Sequence, residues 1–217
     1  MHKNVNNLVA IESLLKKKTN KDKFPKIIAV SKTFSSTEII PLIEHGHTDY
    51  GENKIQEAID KWLPLKEKFQ NLKLHMIGKL QTNKVKFLFP LFDYLHSLDN
   101  IKLAKKISEY EIKNKKKIKI FIQVNIGDES QKAGISINDL NEFYSICVKE
   151  LKLDIIGLMC LPPINENTKK YFKQMEKLNK QLGLKELSLG MSGDYLDAVN
   201  YGSTYVRIGS KIFGNRS

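Results

Sequence analysis

Eight short apolar stretches, each followed by a segment of helical spacing, run through residues 27 to 214 with no change of composition that would mark a linker. This alternation constrains the fold more than any other feature of the chain. Short apolar runs separated by helices are the pattern of parallel strands with crossover helices. The strands are expected at 27–31, 47–51, 74–78, 93–98, 118–125, 154–161, 186–191 and 204–210. Helices are expected within 53–69, around 83–89, and at 100–115, 137–151 and 168–182, with a short one near Asp194. The helix after the first strand opens at Ser35, where Ser35 and Glu38 have capping-box spacing. It stops at His45-Gly46, with glycine as the terminator. Val5, Leu8, Val9, Ile11, Leu14 and Leu15 place a further helix over 3–18, ahead of the first strand. Eight such units point to an α/β fold, a (β/α)8 TIM barrel with an extra N-terminal helix. A doubly wound open sheet is the alternative. The missing GxGxxG after the first strand weakens it.

At 217 residues, 41% of them hydrophobic, the chain suits one domain spanning 1–217 with a sizeable core. No apolar run is long enough for a membrane span. The first residues show no basic start, apolar block and small-residue cleavage site, so a cytoplasmic protein is expected. Cys147 and Cys160 lack CxxC spacing and read as buried reduced thiols. The net charge is +12. That balance raises nucleic-acid binding, but the excess is lysine strewn over helix faces. Arginine, the bidentate phosphate reader, occurs only at Arg207 and Arg216. A solvated lysine surface without a nucleic-acid partner is the expectation.

A barrel places its chemistry at the C-terminal ends of the strands. Lys32 follows strand one, where Ile27 to Val30 would otherwise end a plain core strand. Its amine is a candidate Schiff-base nucleophile for an aldehyde. Gly51, Glu52 and Asn53 follow strand two, and Gly78 follows strand three. Gly190, Ser192 and Gly193 stand at the end of strand seven ahead of a short helix, and Gly209 and Ser210 close strand eight ahead of another. Small hydroxyls, glycines and helix starts at these last two loops make an anion cradle. An aldehyde for Lys32 and a phosphate for the loops together suit pyridoxal 5′-phosphate.

Other residues have plainer readings. His45 and His47 lack a third ligand and read as solvent or packing residues, so no metal site is expected. His75 suits an interior hydrogen bond at least as well as acid–base work. Asp128, Glu129 and Lys132 read as a loop ion-pair cluster, Trp62 and Phe69 as core, and Cys160 as a small buried hydrophobe.

The stretches AVSKT, GENKIQE, LHMIGKLQTNK, HSLD, QVNIGDESQKAGI, GLMCLP, LSLGMSGD and GSTYVRIGSKIFG resemble, in order, the YggS/PROSC family of pyridoxal-phosphate-binding proteins of vitamin B6 homeostasis. The resemblance implies a fold-type III barrel like the N-terminal domain of alanine racemase, standing alone as a monomer. It implies that Lys32 carries the internal aldimine and that Ser192, Gly209 and Ser210 contact the phosphate. Arg207 matches the arginine near the pyridine nitrogen, and Asn53, His75 and Met191 the lining of the pocket. Phe34 stands where a lysine is common, and Gly193 lies in a variable slot. A guanidinium beside the ring nitrogen keeps that nitrogen unprotonated and makes the ring a poorer electron sink. Tyr50 and Tyr195 are candidates for a second base only by residue type. A carrier that buffers the cofactor and hands it to cofactor-requiring apo-enzymes is therefore the leading reading. An amino-acid racemase is the alternative, and an aldolase-like sugar-phosphate barrel a weaker third.

Overall fold

In a computed structural model that describes residues 1–19, 24–129, 131–163 and 166–214, eight parallel strands close into a barrel in chain order. Ser130, within one of the quoted stretches, and Arg216 lie outside the described residues. Helix α1 (Lys3–Lys18) precedes β1 (Lys26–Val30). Then come α2 (Ser36–Glu44), β2 (Asp49–Glu52), α3 (Ile55–Lys68) and β3 (Lys73–Met76). A 3-10 turn (Thr82–Phe87) runs into α4 (Leu88–Leu91), followed by β4 (Tyr94–Leu98), α5 (Ile101–Asn114) and β5 (Lys119–Val124). The second half continues with α6 (Leu140–Ser145) and a π-helical turn (Ile146–Glu150), β6 (Asp154–Cys160) and α7 (Thr168–Gln181). It ends with β7 (Glu186–Met191), α8 (Tyr195–Ala198), β8 (Tyr205–Ile208) and α9 (Ser210–Phe213). Strands β8 and β1 pair in parallel with Ile28 opposite Arg207, which closes the ring.

Two apolar layers follow from the period-2 alternation of each strand. Outward residues such as Ile27, Ala29, Leu74, Leu158, Leu187 and Val206 join one continuous core beneath the helices. Inward residues Ile28, Val30, Tyr94, Phe121, Met159 and Tyr205 form a separate cluster that fills the barrel. The interior is crowded, and Gly51 relieves it: a Cβ there would lie 2.8 Å from Ile28 Cγ2 and 3.2 Å from Ile77 Cδ1.

Helix α1 buries the stripe Val5, Leu8, Ile11 and Leu15. It is tied down by Asn7 Nδ2, which donates to the Ile212 carbonyl at 2.9 Å. The capping box expected at Ser35 and Glu38 does not form. Glu38 Oε2 instead accepts from Asn4 Nδ2 at 2.8 Å, and the Ser35 hydroxyl meets Thr37 Oγ1 at 2.6 Å. A tertiary tie to α1 thus replaces a local cap. The expected helix over 137–151 starts only at Leu140 and widens into the π turn; ahead of it Ser136 Oγ accepts from the Asp139 amide at 3.1 Å and donates to Asp139 Oδ2 at 2.7 Å.

Gly157 in β6 makes the tightest backbone contact with β7. A Cβ at that position would lie 2.0 Å from the Glu186 carbonyl oxygen and 2.9 Å from Phe121 Cε1. Gly157→Ala is expected to lower stability by at least the ~1–3 kcal/mol typical of overpacking. A urea unfolding midpoint equal to that of the unmodified protein would contradict this close approach.

Candidate functional site

The strand ends at the C-terminal mouth surround a cavity of about 680 Å³. Lys32 lies two residues beyond β1, Asn53 one beyond β2, and Gly78 two beyond β3. Met191 is the last residue of β7, with Ser192 and Gly193 directly after it. Gly209 and Ser210 follow β8, and Arg207 reaches the cavity from within that strand. All of these line the cavity. The loop after β6 contributes Leu161, and Ile77 comes up from β3.

The Lys32 loop is held by a buried ion pair. Glu52, the last residue of β2, points outward beneath α3 and is fully buried. Its Oε1 accepts from the Ser31 hydroxyl at 2.7 Å and from Trp62 Nε1 at 2.9 Å. Lys61 Nζ lies 2.7 Å from the same oxygen. That ammonium also donates to the Ser31 carbonyl at 2.8 Å and the Phe34 carbonyl at 3.1 Å. The backbone on both sides of Lys32 is therefore pinned from behind. Thr33 sits between the pinned carbonyls at φ 70°, a left-handed conformation that a threonine adopts only when its surroundings impose it. Phe34 lines the cavity and stacks on Phe213, with ring centroids 4.8 Å apart.

The loops after β7 and β8 meet at Ser192. Its Oγ accepts from the Gly209 amide at 3.3 Å and the Lys211 amide at 3.4 Å. The turn into α8 is tight. Gly190 has φ 84°, and a Cβ there would stand 2.7 Å from Ala198 Cβ and 2.8 Å from Tyr195 Cα. Asp194 Oδ1 accepts from the Met191 amide at 2.7 Å and fixes the same turn. Met191 and Leu161, 40% and 38% exposed, form a half-open rim.

Arg207 is buried, 4% exposed. Its Nη1 donates to the Ser188 carbonyl at 2.7 Å and the Ser188 hydroxyl at 2.6 Å, and its Nη2 to the Cys160 carbonyl at 2.9 Å. Burial lowers its pKa from the usual arginine range. Asn53 Oδ1 is buried and, among the described residues, without a hydrogen-bond partner.

His75 is not among the residues that line the cavity. The inward positions along β3 and its exit are His75 and then Ile77. It is Ile77 that reaches the cavity, while His75 sits one layer deeper, fully buried, bonded to His96 and Asp49. Tyr50 and Tyr195 also lie off the cavity lining, Tyr50 with its hydroxyl donating to the His47 carbonyl at 3.2 Å. Burial pushes the Cys160 thiol up to about 12. Lys132 pairs with Glu129 in the loop after β5. Sequence reasoning missed Leu161, although it directly follows a strand end. It also missed the Glu52–Lys61 clamp, whose only trace is the presence of a carboxylate and a lysine nine residues apart.

The cavity thus offers an amine, a permanently charged guanidinium, small hydroxyls and backbone amides. Its described lining holds no carboxylate, imidazole or phenol. Such a site suits a carbonyl compound with an anionic group.

Residues 6–217 match the family model described as alanine racemase, N-terminal domain. A protein of Aquifex aeolicus named pyridoxal phosphate homeostasis protein is 36% identical over 200 residues, 88% of this chain and 87% of its own. A protein of the same name from Escherichia coli is 35% identical over 199 residues, 88% of this chain and 85% of its own. Among solved structures, PipY of Synechococcus elongatus with PLP bound superposes with a TM-score of 0.87 at 29% identity, covering 97% of this chain and all of PipY. An alanine racemase of Clostridium difficile gives 0.76 at 17% identity, covering 99% of this chain and 57% of the racemase, a likeness of fold alone.

Removing one side of the buried clamp leaves the other uncompensated. Lys61→Met is expected to cost about 3–5 kcal/mol in chemical denaturation. The double change Glu52→Gln with Lys61→Met is expected to cost less than the sum of the two single changes, as coupled partners do. Additive costs would show that the pair does not act as a unit.

Proposed function

The chain belongs to the family of the alanine racemase N-terminal domain, together with proteins named pyridoxal phosphate homeostasis protein, and from that premise we propose that it binds pyridoxal 5′-phosphate, buffers it, and takes part in vitamin B6 and amino-acid homeostasis as a carrier. The observation that carries this reading is the meeting of Lys32 with Ser192, Gly209, Ser210 and Arg207 in one cavity. Lys32 would hold the cofactor through its side-chain amine, the group that condenses reversibly with an aldehyde. Ser192, Ser210 and the Gly209 amide hold the phosphate, at the loops where barrels commonly bind one. Arg207 would stand toward the pyridine nitrogen and, always charged, would keep it unprotonated. Asn53 and Met191 line the pocket.

Two features of the structure support the fit. Asn53 Oδ1 is buried beside the cavity with no partner among the described residues, an acceptor awaiting a donor. The two amide bonds to Ser192, at 3.3 and 3.4 Å, are longer than the ~2.9–3.0 Å of ordinary N–H···O bonds, so a phosphate oxygen competes well for those amides. When bound, the cofactor supplies an aldehyde and a ring able to accept electrons.

The racemase reading receives less support. Removing and returning a proton on opposite faces of a substrate needs two acid–base groups within reach. The described cavity lining supplies Lys32 and no histidine, tyrosine or carboxylate. Curated relatives at 32–36% identity carry the homeostasis name. A barrel with no membrane-crossing helix among its described residues, acting as a monomer on cytoplasmic apo-enzymes, completes the proposal.

Borohydride reduction of the cofactor-loaded protein is expected to leave a pyridoxyl-phosphate adduct on Lys32 in peptide mass spectra and none in Lys32→Ala. A protein that stays colourless after loading would overturn the reading. Ser192→Ala with Ser210→Ala is expected to weaken cofactor retention at least tenfold, about 1.4 kcal/mol. Unchanged retention in dialysis would remove the phosphate assignment. Lys32-dependent production of D-amino acids at ordinary enzymatic rates would favour the racemase.

A further inference from the structure

Between the cavity and the opposite end of the barrel runs an unbroken line of polar contacts. Arg207 Nη1 meets Ser188 Oγ at 2.6 Å, Ser188 Oγ meets His96 Nδ1 at 3.0 Å, and His96 Nε2 meets His75 Nδ1 at 2.9 Å. His75 Nε2 then meets Asp49 Oδ1 at 3.1 Å, and Thr48 Oγ1 donates to Asp49 Oδ2 at 2.7 Å. Ser188, His96 and His75 are each fully buried, and Asp49 begins β2 at the far end from the cavity. We infer that Asp49, His75, His96 and Ser188 form a one-way hydrogen-bonded chain through the barrel core that fixes the Arg207 guanidinium against the cofactor pocket. A carboxylate at the floor of the barrel thereby sets the environment of the cofactor ring. This rests on the proposed reading that Arg207 faces that ring.

The direction follows from chemistry at the two ends. A guanidinium only donates, and an ionised carboxylate only accepts. Ser188 Oγ accepts from Arg207, so its own proton must go to an acceptor, and His96 Nδ1 stands in place. His96 then carries its proton on Nε2 and donates to His75 Nδ1. His75 likewise carries its proton on Nε2 and donates to Asp49. Each of the four contacts from Arg207 to Asp49 then joins one donor to one acceptor. Reversing the line would give Ser188 Oγ two donors and strand its hydroxyl proton in a fully buried place, at about 1–3 kcal/mol.

Both imidazoles are neutral in this scheme, and their surroundings agree. Burial lowers the pKa of His75 despite Asp49 beside it, and Lys26 acts in the same sense. Burial, His75 and Arg207 together push His96 well below the usual histidine range. His75 is further fixed by stacking on Tyr94, with centroids 4.2 Å apart, and His96 by stacking on Phe121 at 4.3 Å. The line orients and does not conduct, because a guanidinium does not surrender its proton at neutral pH. The four residues are positioning residues: Arg207 alone of the five lines the cavity.

The test begins with nitrogen-15 NMR of histidine-labelled protein, without added cofactor. His75 and His96 are expected as neutral Nε2–H tautomers between pH 6 and 8, and Asp49→Asn is expected to shift the ring resonances of His96 as well as those of His75. A His96 protonated on Nδ1, a charged imidazolium, or a His96 unmoved by Asp49→Asn would overturn the chain. The second measurement is the absorption spectrum after loading with pyridoxal phosphate. Ser188→Ala is expected to move the maximum while the borohydride adduct stays on Lys32, and Ser188→Thr, which keeps the hydroxyl, to restore the original band. An unmoved band in Ser188→Ala alongside a moved band in Arg207→Lys would overturn the positioning role. Unmoved bands in both would overturn the placement of Arg207 at the ring, whatever the tautomers.

Discussion

A closed ring of parallel strands takes its inner face out of water, so every polar side chain on that face must be satisfied by another inside the ring. An unsatisfied one costs about 1–3 kcal/mol. This barrel places His75, His96, Ser188 and Arg207 among Ile28, Phe121, Met159 and Tyr205. The four polar residues meet the constraint largely by bonding to one another, and the aromatic neighbours stack on the imidazoles. An aliphatic interior of equal volume would fill the barrel equally well but would leave Arg207 held only by the Ser188 and Cys160 carbonyls, without the side-chain contact to Ser188. The polar core is the part of the fold that converts closure of the barrel into orientation at its mouth.

The same constraint acts on the outer face and shapes the other wall of the cavity. Along β2 and its exit, Gly51 turns inward, Glu52 outward and Asn53 to the cavity. Inward glycine leaves space for Ile28 and Ile77, and outward Glu52 collects Ser31, Lys61 and Trp62. Gly78 lets the next strand's exit pass Asn53 closely, since a Cβ there would fall 2.2 Å from the Asn53 carbonyl. A buried ion pair contributes little net stability against an apolar replacement. Its use here is directional: Lys61 holds the carbonyls on either side of Lys32, and so sets where that amine leaves the backbone.

The strands were legible because parallel barrel strands are buried on both faces and read as apolar runs, as 27–30 and 155–161 do. The cavity was legible because chain order and strand ends alone bring Lys32, Asn53, Met191, Ser192, Gly209 and Ser210 to one mouth. What stayed hidden depends on depth and partner choice. His75 and Ile77 share one face of β3, and the sequence alone does not say which of two successive inward positions meets the cavity. Ser35 and Glu38 have the spacing of a local cap, but a glutamate 34 positions from Asn4 finds a better donor there. The line from Asp49 to Arg207 draws on β2, β3, β4, β7 and β8, so no sequence spacing could signal it.

On the proposed reading, these features argue together for holding and releasing a cofactor rather than for turning over a substrate. A catalyst that moves protons needs groups whose ionisation can change near neutral pH. The two buried imidazoles, which by type could do so, are biased by burial toward the neutral form, bonded to one another, and one layer below the cavity. Tyr50, whose pKa burial raises far above the usual phenol range, spends its hydroxyl on the His47 carbonyl. What faces the cavity is an amine, a guanidinium, and the small hydroxyls and amides of the loops after β7 and β8, behind the half-open rim of Leu161 and Met191. Each of these favours capture. Imine formation with an amine is reversible by water or by a second amine, so on that proposal Lys32 would both capture the aldehyde and permit its transfer to another amine.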